Sequence, residues 1–209
     1  MGRHSDARGR LIDAAGELWH TRSYADVGVS EICDHAQVQK GSFYHFFPSK
    51  RDLALAVIDE RWRLHGVGEM APILTGPLPP LERVALFLER GLEEQIVLKE
   101  STGATVGCSF GNMVVELATV DDVLRDRLAQ LFDDWAALLQ RALDDAVAAG
   151  DLPEIDTRQA ARALLAYIEG LGVLIKAKDD PRAAADLIPL ALRLVGADPA
   201  SLPRTAITT

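Results

Sequence analysis

Residues 29–53, VSEICDHAQVQKGSFYHFFPSKRDL, constrain the fold more tightly than any other stretch of this 209-residue chain. Val29, Ile32, Cys33 and Ala36 recur at helical spacing, which gives a short helix one buried face. Val38 interrupts the polar turn Gln37–Gln39, as a residue anchoring one helix over the next would. A second helix then gathers Lys40, Gly41, Ser42, Phe43, Tyr44, His45, Phe46 and Phe47. Phe43 and Phe47 stand four apart and are expected to face a core, which leaves Tyr44 and His45 outward. Pro48 cannot continue that helix, and Ser49 offers an oxygen to the free N–H groups of the next. Two short helices joined this tightly, with a third starting at once, form a helix-turn-helix, and that arrangement points to DNA.

A helix fits the major groove, and the polar residues on its exposed N-terminal face reach base edges. Gln39, Lys40 and Ser42 are the candidates. Gln pairs bidentately with adenine, Lys donates to guanine acceptors, and Ser adapts to either. Gly41 has no side chain and lets the backbone approach the duplex. Ser30, Tyr44, His45 and Lys50 are placed to contact phosphates, which position a reader without specifying sequence.

Val38 to Lys50 is similar, nearly position for position, to the recognition segment of the TetR family of bacterial transcriptional regulators. Gly9-Arg10-Leu11-Ile12-Asp13-Ala14-Ala15 and Leu18-Trp19 resemble that family's first helix, so the likeness spans residues 8–62. Two departures stand out. Gln37 occupies a turn position where the family usually has Gly, and is expected to adopt a positive φ. Phe46 stands where a His is frequent, so one phosphate contact of the family is expected to be absent.

A net charge of −9 looks wrong for a DNA binder until it is divided. Residues 1–50 carry six Lys or Arg and six acids, so the whole deficit falls beyond residue 50. A neutral head with its bases on one face can bind DNA, while an acidic body discourages indiscriminate coating. The chain has no run of 18 apolar residues and starts without an apolar signal segment, so the expectation is a cytoplasmic protein without membrane contact. Two cysteines in unlike contexts, Cys33 and Cys108, do not suggest a disulfide framework. Cys33 reads as core.

Sustained alternation is absent and helical periodicity with caps recurs, so the fold class is all-α. The expected architecture is a three-helix head, with its first helix from Asp6 to Thr21, on a six-helix ligand-binding and dimerisation body. Residues 1–50 form the DNA-binding domain in this reading, 51–199 the body, and 200–209 a disordered tail. A long helix from Ser49 to His65 connects the two, and Pro72–Pro80 is the clearest break. Helices are expected at 80–100, 105–118, 121–149, 157–177 and 182–196, with Gly150 closing the longest. Ala160, Leu164, Ile168, Leu171 and Ile175 line one apolar stripe, and Leu187, Leu190, Ala191, Leu194 and Val195 another. Monomer core explains part of this, yet so apolar a hairpin is suited to pair with its symmetry mate. The resemblance agrees, since the family dimerises through its last two helices.

The second distinctive segment is Thr105–Glu116, which resembles a Gly-Cys-x-x-Gly-Asn-x-x-x-Glu signature in one subgroup of TetR-like regulators. Some of that subgroup respond to reactive electrophiles or small carbonyl compounds. Read physically, Cys108 opens a helix whose N-terminal amides favour thiolate. Asn112 and Glu116 follow on the same face, and Phe110 and Met113 supply apolar wall. Cys108 is therefore open to three readings: an electrophile or redox sensor, a non-covalent pocket residue, or a small packing residue. Trp135 and Tyr167, with Phe87 and Leu138, are further candidates for lining a cavity. The implied partners are an operator duplex, a second copy of the chain and a small-molecule effector. No cofactor is implied.

An enzyme is the alternative of a different class. Glu17 and His20 match the Glu-x-x-His spacing of di-iron bundles, but that site needs two such pairs and only one is present. Gly-rich phosphate loops, zinc spacings and nucleophile elbows are all missing. A helical adaptor that has lost DNA binding is disfavoured by Gln39, Lys40, Tyr44 and Lys50 standing together.

Overall fold

The computed structural model of the chain describes residues 3–197. Among these the structure is all-helical, as the periodicity predicts, and the proposed tail at 200–209 lies outside them. The elements are α1 (Arg3–Thr21), α2 (Val29–His35), α3 (Lys40–Phe46), α4 (Lys50–Arg61), α5 (Ala71–Leu74), α6 (Pro80–Thr102), α7 (Ser109–Leu117), α8 (Asp122–Ala149), α9 (Thr157–Lys178) and α10 (Ile188–Leu194). A π-helical segment, Trp62–Met70, joins α4 to α5, and a 3₁₀ turn, Pro181–Ala184, precedes α10. With 50–74 counted as one helical segment and 181–194 as one element, the described residues hold the expected three and six. No helix among them is long and apolar enough to cross a membrane.

The caps follow local chemistry. Ser49 accepts from the Asp52 amide at 3.3 Å, and Asp156 accepts from that of Gln159 at 2.9 Å. Gly150 closes α8 at φ 80°, a conformation that glycine reaches without a Cβ penalty.

Three boundaries differ from expectation. Helical structure from Lys50 does not stop near His65: the π-helical Trp62–Met70 and α5 carry it on to Leu74. Pro72 sits in the first turn of α5, where its missing amide costs little, and the segment upstream of it is π-helical. Residues 105–108 are a pinned loop, because their backbone groups bond to side chains in place of a helical ladder. The last element splits into a 3₁₀ turn and α10, since Pro189 is tolerated only in a first turn.

The chain divides into two compact units. The first combines the segment up to Leu64 with Ser109–Gln130. Its core is built on α1, where Leu11, Ala15 and Trp19 are buried with Val27, Ile32, Phe43, Leu53 and Ile58. α1 packs against α2, α3, α4 and α7. The Arg51 Nε lies 2.6 Å from the Asp121 carboxylate, and the Arg127 Nε lies 2.6 Å from that of Asp59. Glu17 pairs with His35 at 3.0 Å and not with His20, and among the described residues no group of three or more His, Cys, Asp or Glu could hold a metal ion.

The second unit combines His65–Cys108 with the chain from Leu131. Phe87 stands edge-on to Trp135 with ring centroids 6.4 Å apart, and Phe132 stacks on Trp135 at 6.1 Å. Arg83 is buried, and donates to the Leu74 carbonyl at 2.8 Å and to Asp145 at 2.9 Å. Leu164, Leu171, Ile175, Ala191 and Val195, read from sequence as stripes, are buried within this unit. The large apolar residues left exposed on α9 and α10 are Val173, Leu174, Leu190 and Leu194.

Gln37 takes φ 53°, as its turn position predicts. A side chain there costs roughly 1–2 kcal/mol. We therefore expect Gln37→Gly to stabilise the chain by about 0.5–1 kcal/mol despite the extra freedom it gives the unfolded state, measured by chemical denaturation.

Candidate nucleic-acid interface

The turn between α2 and α3 is held by the backbone. The Ala36 amide donates to the Ile32 carbonyl at 2.9 Å, and that of Val38 to Cys33, also at 2.9 Å. Gln37 reverses the chain, and Gln39 is extended and caps α3 through its carbonyl, which accepts from Ser42 at 2.8 Å. The Gln39 side chain makes no capping bond, which leaves its amide turned to other uses. Phe43 and Phe47 go into the core, as their spacing predicts. An open groove of about 420 Å³ runs along the motif, lined by Ser30, Cys33, Asp34, Gln37, Val38, Gln39 and Lys40.

Ser30, Gln39, Lys40, Gly41, Tyr44 and His45 are exposed and Ser42 is half-buried, so these expected contacts share one accessible surface. A Cβ built on Gly41 would meet nothing, so the glycine is not demanded by packing within the chain. Phe46, in the place of the family's frequent His, lies edge-on to His45 at 5.1 Å. Cys33 is 3% exposed, and burial, with Asp34 beside it, pushes its thiol up, which keeps it an inert core residue.

Lys50 departs from expectation. Its ammonium donates to the Tyr24 carbonyl and sits 4.0 Å from the centre of the Tyr24 ring, which takes it away from a phosphate. Burial lowers its pKa against the opposing pull of Glu116 and Asp26. Lys50 braces the loop before α2.

A helix-turn-helix with an open polar face over an apolar core finds its counterpart in known proteins. Residues 11–57 match the profile described as bacterial regulatory proteins, tetR family, and residues 80–189 match the one described as tetracyclin repressor-like, C-terminal domain. This chain belongs to the TetR family. It is a DNA-binding transcriptional regulator with an N-terminal helix-turn-helix and a C-terminal ligand-binding domain. It is 33% identical over 168 residues to the transcriptional regulator AcuR of Cereibacter sphaeroides, across 80% of this chain and 74% of AcuR. The crystal structure of regulatory protein TetR from Rhodobacter sphaeroides superposes with a TM-score of 0.76 at 30% identity, over 91% of this chain and 97% of that one. The reduced form of NemR from Escherichia coli, a transcriptional repressor, shares the fold with a TM-score of 0.80 at 21% identity, over 92% and 100% of the two chains.

The ligand-domain residues of this TetR-family chain fall into both units. Phe110 and Met113 are buried in the first, with Phe110 edge-on to Trp62 at 6.4 Å, and Asn112 is half-buried there. Glu116, expected to face an effector, instead grips the loop between α1 and α2. Its Oε1 accepts from the Ser23 hydroxyl at 2.6 Å and the Ala25 amide at 2.8 Å, and its Oε2 from the Tyr24 amide at 2.9 Å. Sequence reasoning missed this because a carboxylate four residues beyond Asn112 reads only as helical spacing; its partners lie more than ninety residues away.

In the second unit, the Gln95 side chain clamps Gly107, accepting from its amide at 3.1 Å and donating to its carbonyl at 3.4 Å. Asp179 accepts from the Thr105 amide at 2.8 Å and pairs with Lys99. Gly107 has φ 70°, and a Cβ there would lie 3.2 Å from the Gly172 carbonyl, so both torsion and space call for glycine. The loop thus delivers Cys108, half-buried, to Glu169. Burial pushes the Glu169 carboxyl up, opposed by a hydrogen bond with Cys108. Glu169 Oε1 and Trp135 Nε1 are buried without a hydrogen-bond partner. Glu169 was legible in principle, as the one acid inside the apolar run from Leu164 to Ile175. Trp135 is core, and the Tyr167 hydroxyl donates to the Leu187 carbonyl at 2.9 Å, so that group is already engaged in holding the last helices.

Burial alone would raise the Glu116 pKa, but the bonds from Ser23, Ala25 and Tyr24, with Lys50 nearby, hold it below its ordinary 4.5. A depressed pKa contributes stability above the unfolded value, and that contribution disappears as pH falls through the folded one. The melting temperature of the parent should therefore exceed that of Glu116→Gln at neutral pH, and the gap should close on acidification below the ordinary carboxylate range. A gap that does not depend on pH would contradict this assignment.

Proposed function

We propose that this chain is a homodimeric repressor that binds a near-palindromic operator and is released by a small-molecule effector. The supporting observation is the exposed face of Gln39, Lys40, Gly41, Tyr44 and His45, with Ser42 half-buried beside them, held by a turn that needs the positive φ of Gln37. Residues 1–50 are the DNA-reading domain in this proposal, and 51–199 carry ligand binding and dimerisation. α3 enters the major groove, with Gln39, Lys40 and Ser42 at base edges and Ser30, Tyr44 and His45 at phosphates. Lys50 acts through the loop it braces. The working compartment is the cytoplasm, where the chromosome lies.

Dimerisation is supported by Val173, Leu174, Leu190 and Leu194, four large apolar side chains left in solvent on the last two helices. A two-fold pair covers the same face twice and presents two heads to one duplex, so the second head binds at a raised effective concentration. Two-fold symmetry in the protein implies two-fold symmetry in the operator. Repression is favoured over activation by the description of NemR as a repressor.

For the effector, the proposal places sensing at Cys108 beside Glu169. The carboxylate can take the thiol proton while the sulfur attacks a soft electrophile, and a buried unpartnered oxygen remains for a polar group of the ligand. Linkage then relates the sites, since an effector that weakens DNA binding is weakened by DNA in equal measure.

The test is a gel shift at stated salt with duplex DNA from upstream of the chain's own gene. The parent should bind, and Lys40→Ala should bind about tenfold or more weakly, the usual cost of losing a base contact. Failure of the parent to bind any such duplex at low ionic strength would refute the reading. Leu174→Glu, which sets like charges against each other in an apolar interface, should give a monomer by light scattering and reduce operator affinity with its fold intact.

A further inference from the structure

Tyr24 is the most constrained residue of the loop that leads from α1 into α2. Its amide donates to Glu116 at 2.9 Å and its carbonyl accepts from Lys50, so one residue is held by the last turn of α7 and the first turn of α4. The neighbouring Ser23 hydroxyl and Ala25 amide join the same Glu116 carboxylate. Val27, just beyond, is fully buried, and Arg22 pairs with Glu31 of α2, so displacement of this loop is passed to α2. α2 packs on α3. A chain of close contacts therefore runs from α7 to the helix that faces DNA.

We propose that Glu116 is a positioning residue that couples α7 to the helix-turn-helix: three hydrogen bonds to Ser23, Tyr24 and Ala25 make the placement of α2 and α3 depend on that of α7. This rests on the DNA-binding reading above. The geometry suits the role, because hydrogen bonds weaken steeply outside a narrow range of length and angle. A shift of α7 along or about its axis breaks several at once. Glutamate is chosen because an ionised carboxylate is purely an acceptor and all three groups it meets are donors; an amide would set N–H against N–H.

Hydrogen–deuterium exchange on the full chain tests this without knowing the effector, using the upstream duplex as the probe. In the parent, DNA should slow exchange in residues 22–28 and also in α7, since coupling is reciprocal. In Glu116→Gln the loop amides should exchange about tenfold faster, the loss expected for one charge-assisted bond. DNA should then no longer slow α7, while α3 stays protected by DNA. Ser23→Ala removes the hydroxyl's contacts with Glu116 and the Ala25 amide but leaves both backbone amides on an intact carboxylate, so it should keep the coupling, which separates it from mere loop integrity. If Glu116→Gln fails to fold, the parent alone still decides. The proposal is overturned if DNA leaves α7 exchange unchanged in the parent, or if Glu116→Gln responds as the parent does. A parent that binds no duplex overturns the DNA reading itself, and this coupling with it.

Discussion

Everything in the DNA-reading unit leans on one apolar seam, the face of α1 that presents Leu11, Ala15 and Trp19. α2, α3, α4 and α7 all pack against that helix. α2 and α3 are seven residues each, too short to be stable as isolated helices. Their shape is therefore borrowed from burial: Ile32, Phe43 and Phe47 must find the α1 seam for the turn between them to hold its geometry. Fully burying a side chain such as Phe43 contributes about 1.5–3 kcal/mol, more than any single polar contact on the exposed face. The polar face can vary for recognition because it carries little of the folding energy.

On that seam sits a layer of charge-assisted contacts. Glu116, Lys50, Arg51 and Asp121 connect α7, the loop before α2, α4 and the start of α8. Partly exposed ion pairs contribute little to stability, so their number is a weak argument for robustness. Their directional character matters more. A carboxylate with three donors fixes a loop in length and direction, which apolar packing alone does not. A regulator needs such contacts, because an effector acts only through differences between two arrangements of the same chain.

The second unit uses polar contacts differently. Gln95, Lys99 and Asp179 pin a four-residue loop so that Gly107 meets Gly172 and Cys108 meets Glu169. Burial raises the pKa of the Glu169 carboxyl, and its hydrogen bond with Cys108 opposes that rise. Leu164, Leu171, Ile175, Ala191 and Val195 close the unit's own core, while Leu190 and Leu194 of the second stripe stay exposed with Val173 and Leu174.

The sequence alone determined the helical class, the helix-turn-helix, the split between core and exposed residues on α3, the strained turn at Gln37 and the family. These are local matters: side-chain period, caps and torsional preference act within a few residues. What only the tertiary structure decided was the use of Lys50 and Glu116, the pairing of Cys108 with Glu169, the engagement of Tyr167 and the face left open on α9 and α10. Each depends on a partner far along the chain, and spacing carries no information about which distant donor a charged group will meet. The prolines at 72 and 189 lie between the two. Their missing amide could be read from the sequence, but only the structure showed that each falls in the first turn of a helix, α5 or α10.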